Sequence, residues 1–302
     1  MITWFLFALG SAISQSGMNA LSNRAVKLGQ FSKITVGFIG TATASMILLL
    51  ITFIFFGIPD LKPGFWHAVF VTGALNIVML PTGLKAYEFG EFSSVYSMTL
   101  ATPIFLLFTG WIFLGEVPPM LGMFGVVLSV LGLWQIAKAV PGRETARDFK
   151  KGNILALSVA FMASISVNFD KLAVLYSNKF FSYGVISGVM ALGYAAYLLF
   201  NSRSLMVRTN SASAPPENPL KSIFFLEGIF LLVLIGMLQA LNGIFYNSAL
   251  AIGFASYTIA IKRLGVLFGV IWGWLFFREK NISKKLLGAG IAIAGVILIL
   301  FS

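Results

Sequence analysis

Apolar residues in this chain come in long blocks rather than in alternation. Ten blocks stand out, over residues 2–21, 34–58, 66–87, 92–114, 119–139, 152–171, 181–200, 223–250, 254–277 and 284–301. Each is close to the about 20 residues that cross a bilayer core as an α-helix. Only helices and closed barrels satisfy their backbone hydrogen bonds in lipid. Barrel strands would alternate every second residue, and these blocks do not. The first block lacks the basic start and clean apolar centre of a signal peptide, because Gln15 and Asn19 interrupt it, so it reads as span 1. The pattern therefore predicts an all-α polytopic membrane protein with ten transmembrane helices.

Two polar stretches separate the blocks. Residues 139–151 carry Arg143, Arg147, Lys150 and Lys151, and residues 201–222 include the run from Ser211 to Pro216, a flexible loop by composition. The first stretch divides the chain into a half at 1–139, a basic linker at 140–151 and a half at 152–302, with five spans in each half. Basic residues also crowd the odd-numbered loops, while the even loops hold only Lys62, Lys171 and Lys179. By the positive-inside bias the odd loops are cytoplasmic and both termini lie outside.

Composition narrows the function classes. Of 302 residues, 58% are hydrophobic and 10% charged, too few for the surface of a soluble fold. The net charge of +11 sits between apolar blocks without a continuous patch, which argues against a nucleic-acid partner. The chain has no Cys, and its one His, His67, reads as an interfacial belt residue beside Trp66. Thiolate sites are thus excluded, and no motif for a bound metal, a cofactor or ATP hydrolysis is present. An enzyme would need clustered acids or a metal site, and a scramblase a polar groove open to lipid. The lipid bilayer and a small-molecule substrate are the expected partners, and the inner or plasma membrane is the expected location.

Shifting the sequence by 163 residues lays spans 3–5 on spans 8–10. Gly73 meets Gly236, Ala86 meets Ala249, Gly90 meets Gly253, Ser93 meets Ser256 and Phe105 meets Phe268. Gly110-Trp111 meets Gly273-Trp274, Glu116 meets Glu279, Gly125 meets Gly288 and Gly132 meets Gly295. A repeat of five spans must re-enter the membrane in the opposite sense, so the two halves are expected to be inverted. That is the architecture of many secondary transporters, with substrate bound near the midplane between the halves. A fused pair also places both halves of a pathway in a monomer.

The Gly-Trp pairs followed by Glu116 and Glu279, with the glycine runs Gly122–Gly132 and Gly288–Gly295, resemble the EamA-type branch of the drug/metabolite transporter superfamily. The resemblance covers nearly the whole chain. It implies ATP-independent export or exchange of small metabolites, amino acids or drugs through a central cavity by alternating access.

Charges within a span are costly and mark function by default. Lys262 and Arg263 lie about eight residues into span 9, about 12 Å deep at 1.5 Å per residue. Their repeat partners are Thr99 and Leu100, so the charge is an addition to the second half. Lys262 shares a helical face with Thr258, Gly265, Gly269 and Gly273, and Arg263 sits about 100° round. The pair suits a carboxylate or phosphate, and it resembles the phosphate-binding pair of the organellar sugar-phosphate translocators. The competing reading is a structural ion pair, with Asp170 as partner, or snorkelling.

Asp170-Lys171 near the end of span 6 reads first as a helix-end pair at the interface. Asp170 is also the candidate for coupling, with a proton as the ion. Ser11, Gln15 and Asn19 form one polar stripe on span 1. Gln239, Asn242 and Tyr246 cluster on one side of span 8, and Gln239 is the repeat partner of Asn76. Those two amides are expected to face each other across the pseudo-two-fold axis. Tyr96 and Tyr257 are candidates for stacking on substrate, or for plain aromatic packing. Pro81 and Pro103, without proline counterparts in the second half, are hinge candidates or static kinks. The leading expectation is a secondary transporter of a small polar metabolite with an anionic group. An exporter of lipophilic cations and a sugar-phosphate-like exchanger are the alternatives.

Overall fold

A computed structural model describes residues 2–27, 31–89, 92–138, 149–200, 219–268 and 282–302. Every regular element among them is a helix: α1 (Ile2–Lys27), α2 (Lys33–Phe55), α3 (Phe65–Phe89), α4 (Phe92–Thr99), α5 (Thr102–Leu114), α6 (Met120–Lys138), α7 (Phe149–Leu175), α8 (Lys179–Phe200), α9 (Pro219–Ile252), α10 (Ala255–Arg263) and α11 (Ile282–Leu300). One more helical turn covers 265–268. By length and composition six segments among the described residues can cross a membrane: α2, α3, the α4–α5 stretch from Val95 to Leu114, α7, α8 and α9. Met120–Ile136 in α6 and Leu287–Leu300 in α11 are shorter apolar runs. Large apolar side chains such as Phe55, Phe70, Phe108, Phe124, Leu199 and Phe230 stand outside the bundle, as lipid-facing residues do.

Several helices outrun their apolar blocks. α1 continues past residue 21 to Lys27, and α7 spans Phe149–Leu175 rather than 152–171. Lys150 and Lys151, assigned from the sequence to the linker 140–151, are therefore in the first turn of α7. Residues 219–222 of the second polar stretch likewise belong to α9. The physical reason is that a helix gains nothing by stopping at the hydrocarbon edge. Its backbone bonds continue into the headgroup layer, where Lys and Arg are solvated. The linker residues 140–148, the run Ser211–Pro216 and residues Gly269, Gly273 and Glu279 lie outside the described residues.

The main packing partners are α6 with α11, α3 with α7, α2 with α8 and α1 with α9. In the α6–α11 pair, a Cβ on Gly132 would strike the backbone of Ala292 and Gly288, and one on Gly295 the backbone of Ser129 and Gly125. Glycine is needed there because the two backbones touch. Among the described residues the largest buried cluster, including Trp4, Leu100, Leu133, Ile136, Tyr257, Ile261 and Ile299, ties α1, the join after α4, α6, α10 and α11 together.

Candidate functional site

Span 4 is broken. α4 stops at Thr99 and α5 starts at Thr102, with Leu100 and Ala101 between them. The join tightens into shorter-range bonds, Leu100 N–H to Ser97 O at 3.3 Å and Ala101 N–H to Met98 O at 3.1 Å. Pro103 is the cause on the sequence side. It offers no N–H to the turn before it and fits the first turn of a new helix. Pro103 thus starts an element rather than bending one. Pro81, by contrast, lies inside α3, which continues through it.

The described part of the block predicted as span 9 breaks too, without a proline. α10 ends at Arg263, and Leu264 N–H bonds Ile261 O at 2.9 Å. Gly265 follows, and a Cβ there would meet the backbone carbonyl of Ala12 in α1. The two breaks fall in register under the shift of 163, with Thr99 on Lys262 and Ala101 on Leu264.

Lys262 and Arg263 form the last turn of α10, where the helix dipole favours cations. Arg263 reaches across to α5 and donates from a guanidinium nitrogen to Thr102 Oγ1 at 3.2 Å. Tyr96, Tyr87 and Tyr246 lie within its electrostatic reach. The Lys262 ammonium sits 3.9 Å from the centroid of the Tyr246 ring. Among the described residues neither cation pairs with a carboxylate, and an ion pair forms elsewhere, between Lys171 and Glu116. The expected partner Asp170 touches the far end of Tyr246 instead.

Asp170 is held by hydroxyls. Tyr246 donates to its Oδ2 at 2.9 Å, and Thr72 of α3 donates to its Oδ1. The Thr72 hydroxyl lies 2.6 Å from that of Ser166, which accepts from Asn76 Nδ2 at 2.8 Å. Tyr194 OH reaches the Asn76 carbonyl at 3.4 Å. The helix-end reading of Asp170-Lys171 is corrected here. α7 runs on to Leu175, and the two neighbours face different surroundings because successive residues are about 100° apart on a helix.

Lys171 turns toward Glu116 and also donates to Gly253 O at 2.6 Å. The other Glu116 oxygen accepts from Ala255 N–H, the first residue of α10, at 2.8 Å. Gly115 makes this possible. Its φ of 66° ends α5 in a left-handed turn that aims Glu116 back at the bundle. One carboxylate thus caps the half-helix that carries Lys262 and Arg263. A cavity of about 750 Å³ adjoins this corner, lined by Trp4, Glu116, Lys171, Phe254 and Tyr257 among others.

These broken helices and buried polar groups sit on a sequence that the profile of the EamA-like transporter family matches twice, over residues 2–137 and 150–301. The chain belongs to the EamA-like transporter family. It is therefore an integral, multi-pass membrane protein of a transporter family. No curated protein matches the sequence. A solved structure described only as a crystal structure of a protein, one of 28 matching chains, superposes with a TM-score of 0.74. The superposition covers 99% of this chain and 97% of that one at 8% identity, and it speaks for the fold alone.

Within this EamA-like fold the residues singled out from the sequence separate into groups. Asp170, Tyr246, Lys262 and Asn76 come together, and Arg263, next to Lys262 in the last turn of α10, reaches Thr102 of α5. Ser11 donates to Asn242 Oδ1 at 2.7 Å, Asn242 donates to Gln15 at 3.3 Å, and Gln15 to Asn19 at 3.1 Å. The α1 stripe is thus largely spent on α9. Gln239 does not face Asn76. Its side-chain oxygen lies against Gly40 of α2, whereas Asn76 is turned toward α7. Tyr257 accepts from Ser302 Oγ at 3.1 Å and packs on Trp4 and Phe254, away from the Asp170 group. Tyr96 packs at the edge of the largest apolar cluster. Thr72 and Ser166 were not singled out, although Thr72–Asn76 and Ser166–Asp170 both repeat at four residues, the spacing that puts side chains on one helix face.

Proposed function

We propose that this EamA-like protein is a secondary transporter that moves a small polar metabolite bearing a carboxylate or phosphate, by alternating access between two inverted five-span halves. The halves are residues 1–139 and 152–302, joined by 140–151, which gives ten spans. Two features support the inversion. The packing partners exchange under a swap of halves, α3 on α7 matching α9 on α1, with α2–α8 and α6–α11 mapping on themselves. The breaks in spans 4 and 9 also share a register. Discontinuous helices at mid-membrane are where transporters of this general build offer helix ends to substrate and ions.

One observation carries the substrate class. Two cations stand at the end of α10 with no carboxylate in contact among the described residues, opposite the first turn of α5, whose positive dipole end also favours an anion. An amino acid, an organic acid or a phosphorylated compound supplies the missing charge, and Asn76 offers a neutral hydrogen-bonding partner. The protein works as a monomer in the inner or plasma membrane, with the odd-numbered loops cytoplasmic.

The test is thermal stability of the purified protein in detergent against amino acids, organic acids, sugar phosphates and quaternary amines. A ligand that binds only the folded state raises the melting temperature. Stabilisation by one anionic class in wild type, lost in Lys262→Ala, is the expected result. Stabilisation that survives Lys262→Ala, or that comes only from quaternary amines, overturns the anion reading and favours a lipophilic cation.

A further inference from the structure

We propose that Asp170 is a reversible proton-binding site whose protonation state is passed to the substrate site through Tyr246 on one side and through Thr72, Ser166 and Asn76 on the other. This deepens the transporter reading above and rests on it. The argument is one of donors and acceptors. The Asn76 side-chain nitrogen has hydrogens and no acceptor capacity, so Ser166 accepts from it. The Ser166 proton is then free for Thr72, whose own proton goes to Asp170 Oδ1. Tyr246 supplies the second donor, at Oδ2. Every proton in the chain points toward the carboxylate, an arrangement that suits its charged form.

Adding a proton to Oδ1 reverses this order. Thr72 must accept from Asp170 and turn its hydrogen to Ser166. Ser166 then receives two donors, from Thr72 and Asn76, and must send its own hydrogen elsewhere. The two lone pairs of Ser166 hold both donors, so the change reaches Asn76, the amide proposed to meet substrate, through the Ser166 oxygen, while its other amide hydrogen stays on Thr72 O at 2.8 Å. On the other side Tyr246 carries Asp170 on its hydroxyl and Lys262 on its ring face, so a change at one is felt at the other.

The groups facing Asp170 from the elements around it are Tyr246 on α9, Tyr183 on α8 and Lys262 on α10, with Thr72 on α3. Lys171, its neighbour on α7, is engaged with Glu116 and Gly253. No cation is in direct contact with Asp170 among the described residues. An intramembrane carboxylate held only by hydroxyls can change charge without breaking an ion pair, which is what proton relays in membrane transporters require.

The experiment is infrared difference spectroscopy of the protein in lipid between about pH 5 and about pH 9, a range that brackets physiological titration. It needs no substrate. The expected result is a C=O stretching band of a protonated carboxyl, present at the acid end, gone at the alkaline end and missing in Asp170→Asn. Tyr246→Phe keeps the ring for Lys262 but removes the hydrogen bond on Oδ2, so the band moves to higher frequency. If Asp170→Asn leaves the pH difference spectrum unchanged, the inference is wrong. Should Asp170→Asn fail to fold, Tyr246→Phe decides: an unshifted band overturns the assignment. The anion reading fails separately, because the band does not depend on the melting response of Lys262→Ala.

Discussion

Glu116 illustrates how one residue can serve two elements. Its carboxylate joins the Lys171 ammonium and the first amide of α10, and both side chains are nearly buried, with 10% and 13% of their surface exposed. Removing one partner of a buried pair leaves the other charge stranded, at a cost of about 3–5 kcal/mol. Glu116→Gln and Lys171→Met should therefore each lower the melting temperature clearly. The double variant should cost less than the two single ones added together, since the stranded charge is gone. Additive losses in such a cycle would show that the two residues act independently. At this scale the sequence located both residues and the repeat of Glu116 at Glu279. It did not pair Glu116 with Lys171, because 55 residues separate them and nothing local encodes the meeting.

The breaks in spans 4 and 9 belong to the scale of the element. From apolar length alone each span is one helix, and only Pro103 hints otherwise. The break after Arg263 has no proline, and beside it Gly265 passes close over Ala12. The α6–α11 crossing obeys the same logic with more force. Gly132→Ala puts a methyl into the backbone of Ala292 and Gly288, which cannot step aside as a side chain would. A loss of about 1–3 kcal/mol is expected, typical of overpacking. Gly290→Ala on the same α11 meets nothing within 4 Å. It should stabilise slightly, by about 0.5–1 kcal/mol, from helix propensity. Thermal melts of the two variants side by side check the contrast, and equal effects would sink the close-packing argument.

For the whole molecule, the proposed inverted arrangement makes a topological claim that labelling can check. The chain has no native cysteine, so single-cysteine variants need no prior substitution. Asp60→Cys lies in an even loop and Lys150→Cys at the start of α7, after the central odd loop. A membrane-impermeant maleimide should label Asp60→Cys in intact cells, and Lys150→Cys only after permeabilisation. The reverse pattern would invert the assigned orientation, and labelling of both from outside would break the count of spans between them.

The sequence by itself determined the all-helical membrane class, the place of the six described segments long and apolar enough to cross a membrane, and the two stretches that the family profile matches. Each of these is written in local composition and spacing, and lipid leaves the backbone few other choices. It also marked Lys262, Arg263 and Asp170, since a charge in an apolar run is conspicuous wherever it points. What surrounds those charges was decided by tertiary structure alone. Lys262 rests on Tyr246 rather than pairing with Asp170, and Asp170 is served by Thr72 and Tyr246 from two other helices. Gln239 turns to α2 while its repeat partner Asn76 turns to α7. A helix fixes which residues share a face, but the rotation of that face and the neighbour it meets come from packing across the bundle, between side chains far apart in the chain.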